Sequence, residues 1–212
     1  SWNAPFVNLD TLILKNNFLT GTIPEEIKFS TLLQDLDLSN NDMTGNALEV
    51  ISELSLSKLD ISSNKFSGSI PTTVGQLSFI TSMRMSYNQF NGTIPEYFGR
   101  CKQLRKVDLS NNLLEGEFPK GMFQLSNLEY FDLSQNKLFK GTVPYDYWDI
   151  SYLRENKESL KTFETKVTYG SKEDFYDGIG MDDDMTRQSG ASILNIHVGV
   201  FLTVTFCFLS VR

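Results

Sequence analysis

The chain has 212 residues, a formal charge of −7 and a pI near 4.8. Neutralising phosphates takes a concentrated basic surface that this composition lacks, so a nucleic-acid partner is excluded. The single histidine, His197, and two cysteines 106 positions apart, Cys101 and Cys207, leave no paired spacing for a zinc site, a redox dithiol or a histidine-based triad.

Residues 1–8, beginning Ser1-Trp2-Asn3, carry no basic n-region and no apolar h-region, and read as the incomplete N-terminal edge of a repeat array. From Leu9 the frame L-x-x-L-x-L-x-x-N is written six times. Its copies close on Asn17, Asn41, Asn64, Asn88, Asn112 and Asn136, at intervals of 24, 23, 24, 24 and 24. A fixed period of that size signals supersecondary units that stack and bury their apolar faces on one another, and six copies exceed the roughly three such an array needs.

Within each unit two apolar positions alternate: Leu12 and Leu14, Leu36 and Leu38, Leu59 and Ile61, Met83 and Met85, Val107 and Leu109, Phe131 and Leu133. Alternation predicts a short strand with these pairs pointing inward and its other residues facing out, successive units forming a parallel sheet. The buried turn after each strand holds amide and carbonyl groups away from water. An asparagine side chain has both an acceptor and a donor, so the repeated asparagine is the residue type that bridges such groups between turns. Gly21, Gly45, Gly68, Gly92, Gly116 and Gly141 then occupy a position suited to positive φ. Pro24, Pro71, Pro95, Pro119 and Pro144 follow three residues later, each after an apolar residue. Unit two has Asn46-Ala47-Leu48 in that place, which predicts a helical or irregular outer edge over Glu49 to Leu56.

The full frame, L-x-x-L-x-L-x-x-N-x-L-x-G-x-I-P, resembles the plant-specific class of leucine-rich repeat over residues 9–144. The resemblance implies an α/β solenoid: a horseshoe with a short parallel β-sheet on its concave face, used for recognition of proteins, peptides or small hormones at the cell surface or outside it.

Beyond the array the frame disappears. Residues 145–191 hold 6 basic and 11 acidic side chains, against 12 and 15 in residues 1–144, so acidity concentrates in this irregular segment. Its composition is that of an acidic linker. It is also similar to the non-repeat island of plant receptor-like proteins, through the F-x-x-K-x-x-Y of Phe163, Lys166 and Tyr169 and the aromatic–glycine stretch Phe175-Tyr176-Asp177-Gly178. Where that family returns to a repeat after Asp182, this chain continues Asp183-Asp184-Met185-Thr186, so the match reads as partial or truncated. In residues 192–212, an apolar stretch of 19 residues from Ile193 to Val211 is long enough to cross a bilayer, with Arg212 on the cytoplasmic side.

No residues suited to catalysis, a cofactor or a metal emerge. Gly178-Ile179-Gly180 lacks a third glycine, and Asp182 to Asp184 lacks calcium-loop spacing. Asp37, Asp60, Asp108 and Asp132 share one register on the exposed strand face; an acid–base pair is conceivable there, but a residue that recurs with the unit serves the unit. Unit four breaks this column with Arg84, flanked by Ser82 and Tyr87. With Lys58, Lys106 and Tyr130 these form a set of cationic and aromatic ligand-face candidates. Asn91-Gly92-Thr93 is an N-glycosylation acceptor.

The resemblance implies a non-enzymatic, single-pass plasma-membrane protein. Its repeats would bind an extracellular peptide or protein and signal through a co-receptor kinase, since no kinase signature occurs. Three alternatives stay open: a soluble inhibitor of secreted wall-degrading enzymes, a hydrolase using the aspartate column, and a truncated product without function.

Overall fold

A computed structural model describes residues 8–143, 160–161 and 166–169. The exposed-face strands are β1 (Thr11–Ile13), β3 (Asp35–Asp37), β5 (Lys58–Asp60), β7 (Ser82–Arg84), β9 (Lys106–Asp108), β11 (Tyr130–Asp132) and β13 (Leu160–Lys161), all parallel, in chain order across one sheet. The expected inward residues pair with one another from coil to coil: Leu12 with Leu36, Leu36 with Leu59, Leu59 with Met83, Met83 with Val107 and Val107 with Phe131. From Leu36 onward they are buried in one continuous core, while Leu12 and Leu14 pack on it half-buried.

The repeat pattern predicts one sheet; the fold has two. A second parallel sheet of seven strands comprises β2 (Thr20–Gly21), β4 (Asp42–Gly45), β6 (Lys65–Ser69), β8 (Gln89–Gly92), β10 (Leu113–Gly116), β12 (Leu138–Val143) and β14 (Lys166–Tyr169). All but β14 come directly after an asparagine turn, and the turn explains them. In five of the six units the asparagine bonds backbone of two neighbouring coils at once. Asn88 Nδ2 donates to the carbonyls of Met85 and Ser86 in its own turn and of Ile61 in the preceding one, at 3.1, 3.2 and 2.9 Å. Its Oδ1 accepts the Phe66 amide of β6 at 3.0 Å. Asn41, Asn64, Asn112 and Asn136 repeat this pattern. Asn17 is exposed and reaches only Leu14 and Lys15 of its own turn.

The outer wall consists of 3-10 turns at Glu25–Phe29, Thr72–Gln76, Glu96–Arg100 and Lys120–Gln124, each entered from proline, whose restricted φ suits an N-cap that must be extended. Ile23, Ile70, Ile94 and Phe118 before those prolines are buried, as expected. Unit two, without the proline, forms a short α-helix, Ala47–Ile51, starting earlier than the predicted Glu49. Two glycines set how closely the outer turns approach. A Cβ on Gly99 would collide with the Gly121 carbonyl, and one on Gly121 with that of Glu96. The Glu96 carboxylate closes the same contact by accepting the backbone amides of Lys120 and Gly121.

Two further departures come from tertiary pairing. Unit six has five steps from Asn136 to Gly141 where the other units have four. The extra residue pushes Leu138 outward, to 59% exposure, and Phe139 takes the core position with its amide bonded to the Asn136 carbonyl. Within the segment that lacks the repeat frame, β13 pairs with β11 and β14 with β12, so both sheets gain a seventh rung there.

Replacing Asn88 by Leu leaves three carbonyls and one amide without this partner, at about 1–3 kcal/mol for each group that finds no other. Urea unfolding should show Asn88→Leu destabilised by at least about 3 kcal/mol and Asn17→Leu, at its exposed site, by under about 1 kcal/mol. Equal shifts would show that the inter-coil bonds carry no special weight.

Candidate functional site: the exposed face of the first sheet

Register brings four of the six ligand-face candidates into one row. Lys58, Ser82, Lys106 and Tyr130 are successive Cα partners across β5, β7, β9 and β11. Arg84 lies two residues along from Ser82, in the row Ile13, Asp37, Asp60, Arg84, Asp108, Asp132, Lys161. Tyr87 stands at the turn after β7 and is 61% exposed. Asn91 sits elsewhere, exposed on β8 of the second sheet.

The aspartate row is built into the turns. Oδ1 of Asp37, Asp60 and Asp108 each accepts both the amide and the hydroxyl of the serine two residues on, at 3.1 Å and 2.6–2.7 Å. Asp132 accepts the Ser134 amide on one oxygen and the Tyr130 hydroxyl on the other, both at 2.9 Å. Each carboxylate thus mimics a backbone acceptor for its own turn. Most cations on this face are engaged too: Lys15 with Asp37 at 3.6 Å, Lys58 with Asp35 at 3.0 Å, Arg84 with Asp60 at 3.6 Å, and Arg105 with Glu129. Among the described residues no group of three His, Cys, Asp or Glu side chains could hold a metal ion. Cys101 is buried, its thiol donating to the Val74 carbonyl at 3.3 Å; burial pushes its pKa up to about 11, which keeps it a thiol rather than a nucleophile.

Family profiles described as leucine rich repeat match residues 8–29, 29–52, 55–77 and 78–138. The chain belongs to the leucine-rich-repeat family. Receptor like protein 21 of Arabidopsis thaliana is 44% identical over 71 residues, covering 31% of this chain and 7% of that protein. Among solved structures, the ectodomain of the membrane receptor kinase GASSHO1/SCHENGEN3 from Arabidopsis thaliana, in complex with CASPARIAN STRIP INTEGRITY FACTOR 2, superposes with a TM-score of 0.69 at 31% identity. That match covers 76% of this chain and 19% of the other. The Arabidopsis receptor kinase HAESA, in complex with the peptide hormone IDA and the co-receptor SERK1, gives 0.67 at 35%, covering 73% and 25%. The chain therefore spans less than a tenth of the curated relatives it matches and a quarter or less of these solved chains.

One feature of this leucine-rich-repeat face is not anticipated by the repeat frame. The residue before each ladder asparagine is left-handed: Asn16, Asn40, Ser63, Tyr87, Asn111 and Gln135, with φ of 52–62°. Its signal is present in the sequence, since asparagine, the non-glycine residue that best tolerates this region, fills three of the six positions. Tyr87 is the bulky exception. A solvent-facing tyrosine held there costs about 1 kcal/mol relative to asparagine. Tyr87→Asn should stabilise the chain by that amount in urea titration; a lowered midpoint would mean that the ring stabilises the coil by packing.

Tyr130 gives a second, pH-dependent test. Burial, donation to Asp132 and the charges of Asp132 and Asp108 raise its phenol pKa well above the usual tyrosine range, while Arg84 acts in the opposite direction. A folded pKa above the unfolded value of about 10 means a stabilisation fully present below pH 10 and lost as pH rises through the folded pKa. The native chain's stability relative to Tyr130→Phe should therefore hold steady up to about pH 9 and decline progressively above about pH 10. A constant difference would remove the phenol from the pH dependence.

Proposed function

We propose that this chain is the repeat portion of an extracellular receptor-like protein that recognises a peptide or protein ligand on the exposed face of its first sheet, without catalysis. The supporting observation is unit four. Where four of the other five units place aspartate, and all five a small or amide side chain before the ladder asparagine, it presents Arg84 and a backbone-strained, exposed Tyr87, two residue types that dominate binding hot spots. The hydrolase alternative loses support because the aspartates are committed to their own turns. The solved HAESA complex, with a peptide hormone and a co-receptor, supports the same class of partners here, with a co-receptor kinase transmitting the signal.

In this reading Asn91 carries a glycan on the second sheet, away from the ligand face, and residues 193–211, which lie outside the described residues, anchor the chain in the plasma membrane. Among the described residues no helix is long and apolar enough to cross a membrane.

The test is expression of the whole chain in plant cells. Expected are carbonate-resistant pelleting with membranes, a glycosidase-sensitive mobility shift removed by Asn91→Gln, and binding of a labelled apoplastic peptide fraction that Arg84→Glu with Tyr87→Ala abolishes and Glu117→Arg, off this face, leaves intact. Soluble unglycosylated protein, or binding indifferent to Arg84 and Tyr87, would overturn the reading.

A further inference from the structure

Along the exposed face of strands β1 to β11, β9 alone among the described residues carries both a cation without a partner and a carboxylate oxygen without one. Lys106 is exposed and has no ion-pair or hydrogen-bond partner among the described residues. Asp108 uses Oδ1 for the Ser110 amide and hydroxyl, and its Oδ2 accepts from no described group. In the same row, Asp37 Oδ2 is engaged by Lys15, Asp60 Oδ2 by Arg84, and Asp132 Oδ2 by the Tyr130 hydroxyl. Lys58 and Arg105 are likewise paired, with Asp35 and Glu129. Among these strands unit five alone therefore offers an unengaged cation and an unengaged carboxylate oxygen, on the same face of one strand and two residues apart.

Their neighbours complete the site. Beside Lys106 stand Ser82 on β7 and Tyr130 on β11, and beside Asp108 stand Arg84 and Asp132. Asp132 is 6% exposed and has both oxygens bonded, so it does not compete for a ligand. Two residues along a strand span about 6.6 Å, and an extended peptide repeats its same-face side chains at the same spacing. A lone anion over Lys106 would meet the open Asp108 oxygen, and a lone cation over Asp108 would meet Lys106 and Arg84. A ligand carrying both charges satisfies each.

Resting on the ligand-face reading above, we propose that Lys106 and Asp108 anchor an extended peptide segment bearing an acidic and a basic side chain two residues apart. The acidic group sits over Lys106 and the Ser82 hydroxyl, and the basic group takes Asp108 Oδ2. Either chain direction satisfies the pair, so spacing, not order, is what the site reads. Each charge-assisted contact is expected to be worth about tenfold in affinity.

Synthetic nonapeptides on a glycine–serine backbone test this on the whole chain, by thermophoresis at low ionic strength. Glu-x-Lys should bind about tenfold more tightly than the adjacent pair Glu-Lys, whose side chains face opposite ways, and than Glu-x-Gln or Gln-x-Lys. Lys106→Gln should erase the advantage of Glu-x-Lys over Gln-x-Lys. Asp108→Asn, which keeps the Oδ1 acceptor for its turn, should erase its advantage over Glu-x-Gln. Equal binding of Glu-x-Gln and Glu-x-Lys would replace the proposal with a plain anion site. Binding lost in Arg84→Glu with Tyr87→Ala but unmoved by Lys106→Gln and Asp108→Asn would overturn this anchor and leave the ligand face standing. No binding by any peptide would count against both.

Discussion

The side-chain amide of the repeated asparagine is the contact on which this molecule depends. Each coil ends its first strand with a turn that must remain under the next layer, away from water. A buried carbonyl or amide left open there costs as much as a sizeable share of a domain's net stability. One asparagine closes three carbonyls with its Nδ2 and one amide with its Oδ1, and the partners belong to two coils: the carbonyls to the turns that follow first-sheet strands, the amide to a strand of the second sheet. The same four contacts that satisfy a turn therefore also hold neighbouring coils in register, and the alternate apolar residues of each strand meet their counterparts as a consequence.

The spacing of the outer wall has a separate origin. The inner wall is spaced by strand pairing, which accepts almost any side chain pointing out. The outer wall is spaced by contact between 3-10 turns, and there backbone meets backbone. Gly99 and Gly121 allow that approach because no Cβ stands between the carbonyls, and the Glu96 carboxylate ties the two turns through backbone amides. Inner and outer spacing are thus set by different chemistry, hydrogen-bonded sheet on one side and steric closeness on the other.

This division explains why the exposed face can diverge. Once the asparagines, the inward apolar pairs and the aspartate–serine turns carry the fold, the remaining strand positions are free of structural duty. Most of their charges are nonetheless neutralised by cross-strand ion pairs, exposed and individually weak, which hold side chains away from misplaced contacts more than they stabilise the coil. Against that background unit four, with its cation in an acidic row and its tyrosine in a left-handed position, and unit five, with its open charges, stand out as places where the surface is not settled within the chain itself.

Much of this was legible in the residues. The inward pairs, the ladder asparagines, the proline entries to the outer turns and the irregular unit two follow from period and residue chemistry, because every copy of a repeat faces the same neighbours and must answer them with the same side chains. The left-handed residue before the asparagine was also readable, though it took Tyr87 at that position to make it conspicuous. The second sheet was not: its strands are short, lie between turn residues, and depend on the asparagine of the next coil to accept their amides. Nor were the inward shift of Phe139, the seventh rung at Leu160–Lys161 and Lys166–Tyr169, or the open pair Lys106 and Asp108. What each coil contains could be read residue by residue, since that is local and repeated; which coil's groups are left without a partner emerges only when the coils are stacked, because pairing depends on distances between residues some 22 to 27 positions apart.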